Sequence, residues 1–211
     1  MTPAHRELLQ AFLRQNNIDG IDSCLHDFEL YMNELVRWNK VVNLTAIKNE
    51  KDIVIKHFID SLTPMKFIGG GDFILDIGSG AGFPGLPIKI VKSTVRVVMI
   101  DSRLKKVNFI NNIIGILNIK GAVALHQRAE AKDFQDIMGN SFDVVISRAS
   151  LPLPELAELS MPYMKDNGKL IAMKAKIVEG IDEMKGLKQT DELRTTLPGG
   201  SFRKILVFGK A

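Results

Sequence analysis

The sequence predicts an α/β fold, a mostly parallel, twisted sheet flanked by helices and preceded by a helical extension. Three observations carry this reading. Past residue 69, short apolar runs alternate with helical stretches, the pattern of strand–helix–strand units with right-handed crossovers. The first of these runs, residues 73–77, empties into a loop with glycines at 78, 80, 82 and 85. Before residue 69 there is no strand signal, and apolar residues recur at helical spacing.

Taken in order, Thr2-Pro3 suits a helix start with proline at the first helical position, and Leu8, Leu9, Phe12 and Leu13 follow at helical spacing. Residues 16–20 interrupt the pattern. Asp22-Ser23 can cap a longer helix carrying Leu25, Phe28, Leu30, Tyr31, Leu35 and Trp38. After the turn-like Asn43-Leu44-Thr45, a third helix is expected over 50–65. Residues 1–68 are therefore expected to form the helical extension and 69–211 the sheet domain, with Gly69-Gly70-Gly71 at the boundary. Strands are expected at 73–77, 95–100, 122–126, 142–147, 168–174 and 203–208, and helices near 84–92, 103–117, 130–138, 153–164 and 177–187. The first strand is nearly continuously apolar, as a parallel strand covered on both faces must be. Residues 188–201, with Leu197-Pro198-Gly199-Gly200, read as a turn-rich connection with room for one irregular strand.

Composition narrows the class. A chain of 211 residues with 45% hydrophobic and 25% charged residues can bury a core and is not disordered. Its formal charge of +4 is compatible with a nucleic-acid partner without demanding one. Cys24 stands alone, which excludes a disulfide framework and a thiolate cluster, and His5, His26, His57 and His126 have no ligand spacing, so no metal is expected. The start lacks a signal-peptide apolar stretch, and residues 109–119 are interrupted by Asn111, Asn112, Gly115 and Asn118. The expectation is a cytoplasmic protein with no membrane partner, most simply a monomer.

The glycine loop admits two ligand classes. Gly80-Ala81-Gly82-Phe83-Pro84-Gly85 matches the dinucleotide fingerprint G-x-G-x-x-G, and Asp101, ending the next strand, could hold ribose hydroxyls. Three details oppose a dinucleotide. Asp76 precedes the loop, where it would repel a pyrophosphate and attract an ammonium group. The first glycine is Gly78, out of register with the fingerprint. Pro84 removes an N–H at the helix start, where a phosphate wants donors. A nucleoside with an amino-acid arm fits better, and S-adenosyl-L-methionine is such a molecule. After the third strand, Ala129-Glu130 could address an adenine edge. The fourth strand delivers Ser147-Arg148-Ala149 to the same edge, and an arginine there could pair with a carboxylate, a phosphate or a guanine. Lys174 and Lys176 end the fifth strand; Lys106 and Arg203 also stand where phosphate contact is open to them. Ser-His-Asp sets and Cys-His pairs are lacking, which suits, without uniquely demanding, methyl transfer to a nucleophile such as guanine ring nitrogen 7 that has a lone pair and no proton.

Residues 76–85, with Asp101, Ala129-Glu130 and Ser147-Arg148-Ala149, resemble the bacterial 16S ribosomal RNA guanine-N7 methyltransferases, the RsmG or GidB family (glucose-inhibited division protein B). The likeness includes Arg37-Trp38-Asn39-Lys40, Asn43-Leu44-Thr45, His57-Phe58-Ile59-Asp60-Ser61-Leu62, residues 105–109 and Leu197-Pro198-Gly199. It implies a class I, Rossmann-like methyltransferase fold, S-adenosyl-L-methionine as cofactor and 16S ribosomal RNA or the small ribosomal subunit as partner. It also implies cofactor contacts at Gly78, Phe83, Ala129, Glu130 and Arg148; Asp76, Gly80 and Asp101 complete the expected cofactor set. Arg148 is the catalytic candidate, with no general base expected, and Lys106, Lys174 and Arg203 are the RNA-facing candidates. One departure is Ala175, where the family has glycine beside Lys174. Two alternatives stay open: a nicotinamide-dependent oxidoreductase on the same sheet, and a non-catalytic RNA-binding module that kept the fold.

Overall fold

Two helices open the chain, α1 (Pro3–Gln15) and α2 (Ile21–Val42). The computed structural model describes residues 1–148, 151–174, 180, 184 and 186–211. Thr2 is the N-cap of α1, with Pro3 in the first turn as the sequence suggests. For α2 the cap differs: Gly20, at φ 62°, precedes Ile21, and Asp22 falls within the first turn, where its charge suits the helix dipole. The third helical stretch runs from α3 (Glu50–Ile53) through a π-helical turn (Val54–Ile59) into α4 (Asp60–Leu62), ending before Pro64.

The sheet has seven strands among the described residues: β1 (Phe73–Ile77), β2 (Arg96–Asp101), β3 (Ala122–His126), β4 (Phe142–Ser147), β5 (Met164–Lys174), β6 (Leu187–Thr196) and β7 (Phe202–Lys210). Their order is β3-β2-β1-β4-β5-β7-β6. The first five are mutually parallel, whereas β7 pairs antiparallel with both β5 and β6. Helices α5 (Gly85–Val91), α6 (Leu104–Ile116), α7 (Lys132–Met138) and α8 (Leu153–Ser160) supply the crossovers.

Strand residues alternate between two cores. Ile74, Val97, Met99, Val144 and Ile146 join α1–α6 in one cluster. Leu75, Val98, Ile100, Val145 and Leu170 join α7 and α8 in the other. Both faces are covered, so alternation is invisible as polarity and the runs read as continuously apolar. The opening helices share the first cluster with the sheet, with Leu25, Phe28, Tyr31 and Leu35 fully buried there.

Three expectations need correction. The connection read as turn-rich over 188–201 is mostly β6, with a register shift between Gln189 and Asp191, and only residues 197–201 turn. The helix expected over 153–164 stops at Ser160, and β5 begins at Met164, four residues earlier than expected. That early start carries Asp166-Asn167-Gly168, turn residues taken up by a register shift between Phe142 and Val144. Of the helix expected near 177–187, all but residues 180, 184, 186 and 187 lies outside the described residues, and Leu187 belongs to β6.

Candidate active site

The five parallel strands bring their carboxyl ends to one edge, and chain order reverses between β1 and β4, where open α/β sheets bind ligands. Ser147 Oγ donates to the Ile77 carbonyl at 2.8 Å, tying the two strand ends together there. The loop after β1 is pinned to the end of β2. Gly78 and Ser79 N–H donate to the Ile100 carbonyl at 3.0 and 3.1 Å, and Gly80 N–H donates to Asp101 Oδ2 at 2.9 Å.

Two cavities meet at Gly78. The larger, about 240 Å³, is lined by Asp101, Gln127, Ala129 and Glu130 among others. Asp101 is held at its wall by the Gly80 and Arg103 amides, with Lys106 Nζ 3.6 Å away. The Ala129 carbonyl already accepts from Tyr163 Oη at 2.5 Å and Gln135 Nε2 at 3.2 Å, so the ligand-directed group left on that residue is its N–H. Glu130 is exposed at the rim and pairs with Arg128 at 3.0 Å. A carboxylate for hydroxyls beside an amide for a heterocycle edge is a nucleoside-shaped set of groups.

The smaller cavity, about 150 Å³, is lined by Thr45, His57, Gly78, Gly80, Phe83 and Arg148, with neighbours. Phe83 is buried and stacked between rings: His57 lies 4.3 Å away at 5°, and Tyr31 5.3 Å away at 14°. Arg148 rests 5.2 Å over the same ring and donates to the Lys56 carbonyl at 2.8 Å and Asp60 Oδ2 at 3.3 Å. Burial lowers the affinity of the Arg148 guanidinium for its proton, while Asp60 and Asp76 oppose that shift. Burial, then the Arg148 charge, push His57 down to about 3, so its imidazole is neutral. One ring nitrogen meets Thr45 Oγ1 at 2.9 Å and the other faces Arg148 at 3.2 Å.

The start of α5 argues against a pyrophosphate. Gly85 N–H is committed to Asp76 Oδ2 at 2.8 Å, and Leu86 N–H to the Gly82 carbonyl at 2.8 Å. A dinucleotide needs those helix-start donors.

Likeness to known proteins decides the family. The family model described as "GidB: rRNA small subunit methyltransferase G" matches residues 24–196. The chain belongs to the GidB family. Among curated relatives, the Ribosomal RNA small subunit methyltransferase G of Geobacter sp. strain M21 is 34% identical, covering 100% of both chains. The protein of that name from Lachnoclostridium phytofermentans is 37% identical over 92% of this chain and 84% of its own. Of solved structures, a SAM-dependent methyltransferase from Aquifex aeolicus superposes with a TM-score of 0.58 at 18% identity, covering 78% of this chain and 96% of that one. M. jannaschii TYW2 in complex with AdoMet gives 0.56 at 16% identity, over 73% and 76%. These structural likenesses establish the class I methyltransferase fold.

Within this GidB-family chain, Gly78, Gly80, Phe83 and Arg148 gather at one cavity and Gly78, Asp101, Ala129 and Glu130 at the other. Asp76 lines neither: it is fully buried beneath the loop, where burial pushes its carboxyl up to about 7. Of the RNA-facing candidates, Lys106 leans on Asp101, Arg203 Nε donates to Asp60 Oδ1 at 2.7 Å, and Lys174 Nζ donates to the Leu151 carbonyl at 2.6 Å. Ala149 and Ala175 lie outside the described residues. The sequence places Asp60 in the His57–Leu62 segment and Tyr31 on a helix face but gives neither a site role; in the fold Asp60 joins Arg148 to Arg203, and the Tyr31 hydroxyl donates to the Ala81 carbonyl inside the loop. The spacing His57-x-x-Asp60, one helical face, was the available signal for the first. For Tyr31 there was none beyond helical periodicity.

Proposed function

We propose that the chain transfers a methyl group from S-adenosyl-L-methionine to ring nitrogen 7 of a guanine in 16S ribosomal RNA. The observation that carries this reading is the pair of cavities meeting at Gly78, one with nucleoside-matching groups and one beside an arginine. Asp101 would accept from the ribose hydroxyls, with the Ala129 N–H and Glu130 at the adenine edge. Gly78, Gly80 and Phe83 would line the amino-acid end, and Arg148 would face its carboxylate. The fit extends beneath the loop: Asp76 Oδ1 is buried with no hydrogen-bond partner among the described residues, an acceptor suited to an ammonium donor.

When bound, S-adenosyl-L-methionine supplies an electrophilic sulfonium methyl group. Guanine nitrogen 7 already carries its lone pair, so the protein need not remove a proton. His57 accordingly serves as a positioning residue, neutral and stacked on Phe83 rather than free to exchange protons. The rate would come from holding the base in line with the methyl group in a shielded site. The base must come from an unpaired stretch, since an A-form duplex hides it. Lys174 and Arg203, at strand ends on the same edge, and Lys106 at the start of α6 would meet phosphates. The same reading makes this a cytoplasmic enzyme.

The test is methyl transfer from labelled cofactor to 16S ribosomal RNA lacking the modification, followed by nucleoside analysis. The expected label is on guanine nitrogen 7, and label on any other atom removes the specific product. Calorimetry on Asp101→Ala should show cofactor affinity at least tenfold weaker than in the parent. Preference of the parent for a nicotinamide dinucleotide would overturn the cofactor assignment.

A further inference from the structure

A groove of about 320 Å³ opens between the second half of α2 and the segment 43–49. That volume sits at the lower end of ligand pockets, roughly 300–1,000 Å³. Its floor is apolar: Leu35 and Ile53 are buried, Ile47 is half-buried, and Val36 stands 39% exposed at the mouth. Lys40 and Lys48 are exposed on the rim and make no ion pair or hydrogen bond among the described residues. Among the described residues no carboxylate lines the groove. Those on the adjacent turns are already committed, Glu34 to Arg37, Asp52 to Lys56 and Glu50 to His5. Among the described residues, the charges at the rim without a partner are therefore the two lysines.

Position supplies the second argument. The same stretch of backbone walls both sites: Asn43 and Ile47 line the groove, while Leu44 and Thr45 line the smaller cavity beside the glycine loop. Asn39 fixes this wall by two hydrogen bonds to the Thr45 backbone, both 2.9 Å. From Asn43 to Thr45 the chain spans at most roughly 7 Å. In the functional reading above, that cavity holds the amino-acid end of the cofactor, so an occupant of the groove neighbours the sulfonium that the target guanine must approach.

We propose that this groove seats an unpaired nucleotide flanking the target guanine, its base against Val36 and Ile47 and its phosphates against Lys40 and Lys48. The inference rests on the RNA reading above. Apolar slots with cationic rims hold bases and backbone in this way, and contacts to flanking nucleotides set sequence context.

Two variants of the full chain test it, with unmodified 16S ribosomal RNA as the probe. Lys40→Glu with Lys48→Glu changes only exposed side chains. It should weaken RNA binding at least tenfold and reduce the salt slope of log affinity by about 1.4, two single-strand phosphate contacts. Val36→Trp should fill the slot, raising the KM for RNA at least fivefold with the salt slope unchanged. Cofactor affinity should match the parent in both. Parental RNA affinity and slope in both variants would overturn the groove while leaving methyl transfer by the parent intact. Failure of the parent to methylate RNA would instead sink the functional reading. A defect seen only with assembled small subunits, and not with naked RNA, would assign the groove to a protein and refute the proposal.

Discussion

Burial sets the protonation of His57 and Asp76, both packed against the glycine loop, and it does so in opposite senses. His57 is pushed down to about 3, first by desolvation and then by the Arg148 charge. Asp76 is pushed up to about 7 by desolvation, with the Gly85 N–H and Arg148 pulling it back. His57 binds its proton more weakly folded than unfolded, so its contribution to stability is present above about 6.5 and lost as pH falls towards 3. Asp76 binds its proton more tightly when folded, so its contribution is present below about 3.8 and lost as pH rises towards 7. Between about pH 4 and 6.5 the two slopes oppose one another, each at most ~1.4 kcal/mol per pH unit. Asp76→Asn should therefore tilt the stability curve upward with pH relative to the parent, and His57→Gln should tilt it downward. Urea unfolding at several pH values checks this; variant curves running parallel to the parent would show that neither group is shifted so far. Local position, before the glycine loop and at a strand end, marked Asp76 and Arg148 as candidates. That Asp76 would lie under the loop, and that Asp60 would hold Arg148 and Arg203 together, depends on contacts between segments far apart in sequence.

At the scale of elements, the glycine loop owes its shape partly to α2. Gly82 adopts φ 95°, and a Cβ there would come 2.7 Å from Tyr31 Oη. Gly82→Ala should destabilise by about 2–4 kcal/mol, combining backbone strain with overpacking. In the background of Tyr31→Phe the oxygen is gone, so the double variant should cost less than the sum of the singles. Urea midpoints decide the matter, and strict additivity would show that the hydroxyl is not the obstacle. The glycine was legible as a loop residue, but its steric reason was not, because Tyr31 arrives from another element. Strand β6 shows the converse difficulty. Lys188-Gln189-Thr190-Asp191-Glu192 has no apolar run, since an edge strand needs no hydrophobic cover on its solvated side. Hydrophobic patterning therefore passes over it, and only pairing with β7 reveals it.

For the whole molecule, the opening helices and one sheet face form a continuous core. Trp38, the single tryptophan of the chain, packs edge-on against Phe109 of α6 at 5.6 Å between ring centroids. Its fluorescence should thus report the junction between the helical segment and the sheet. We expect its urea transition to coincide with the loss of far-ultraviolet circular dichroism, as one cooperative core requires. An earlier fluorescence transition would separate the helical segment from the sheet.

Local pattern was enough for the strand and helix order from β1 to β4, the glycine loop and the strand-end residues Asp101 and Arg148. Each of these is written in a window of a few residues, where periodicity and backbone chemistry act directly. Three-dimensional packing settled the rest: the antiparallel β5-β7-β6 end of the sheet, the bridge from Asp60 to two arginines, and the wall shared by the smaller cavity and the α2 groove. Those features arise from side chains meeting across long sequence separations, where the energy lies in pairing and burial rather than in any local preference.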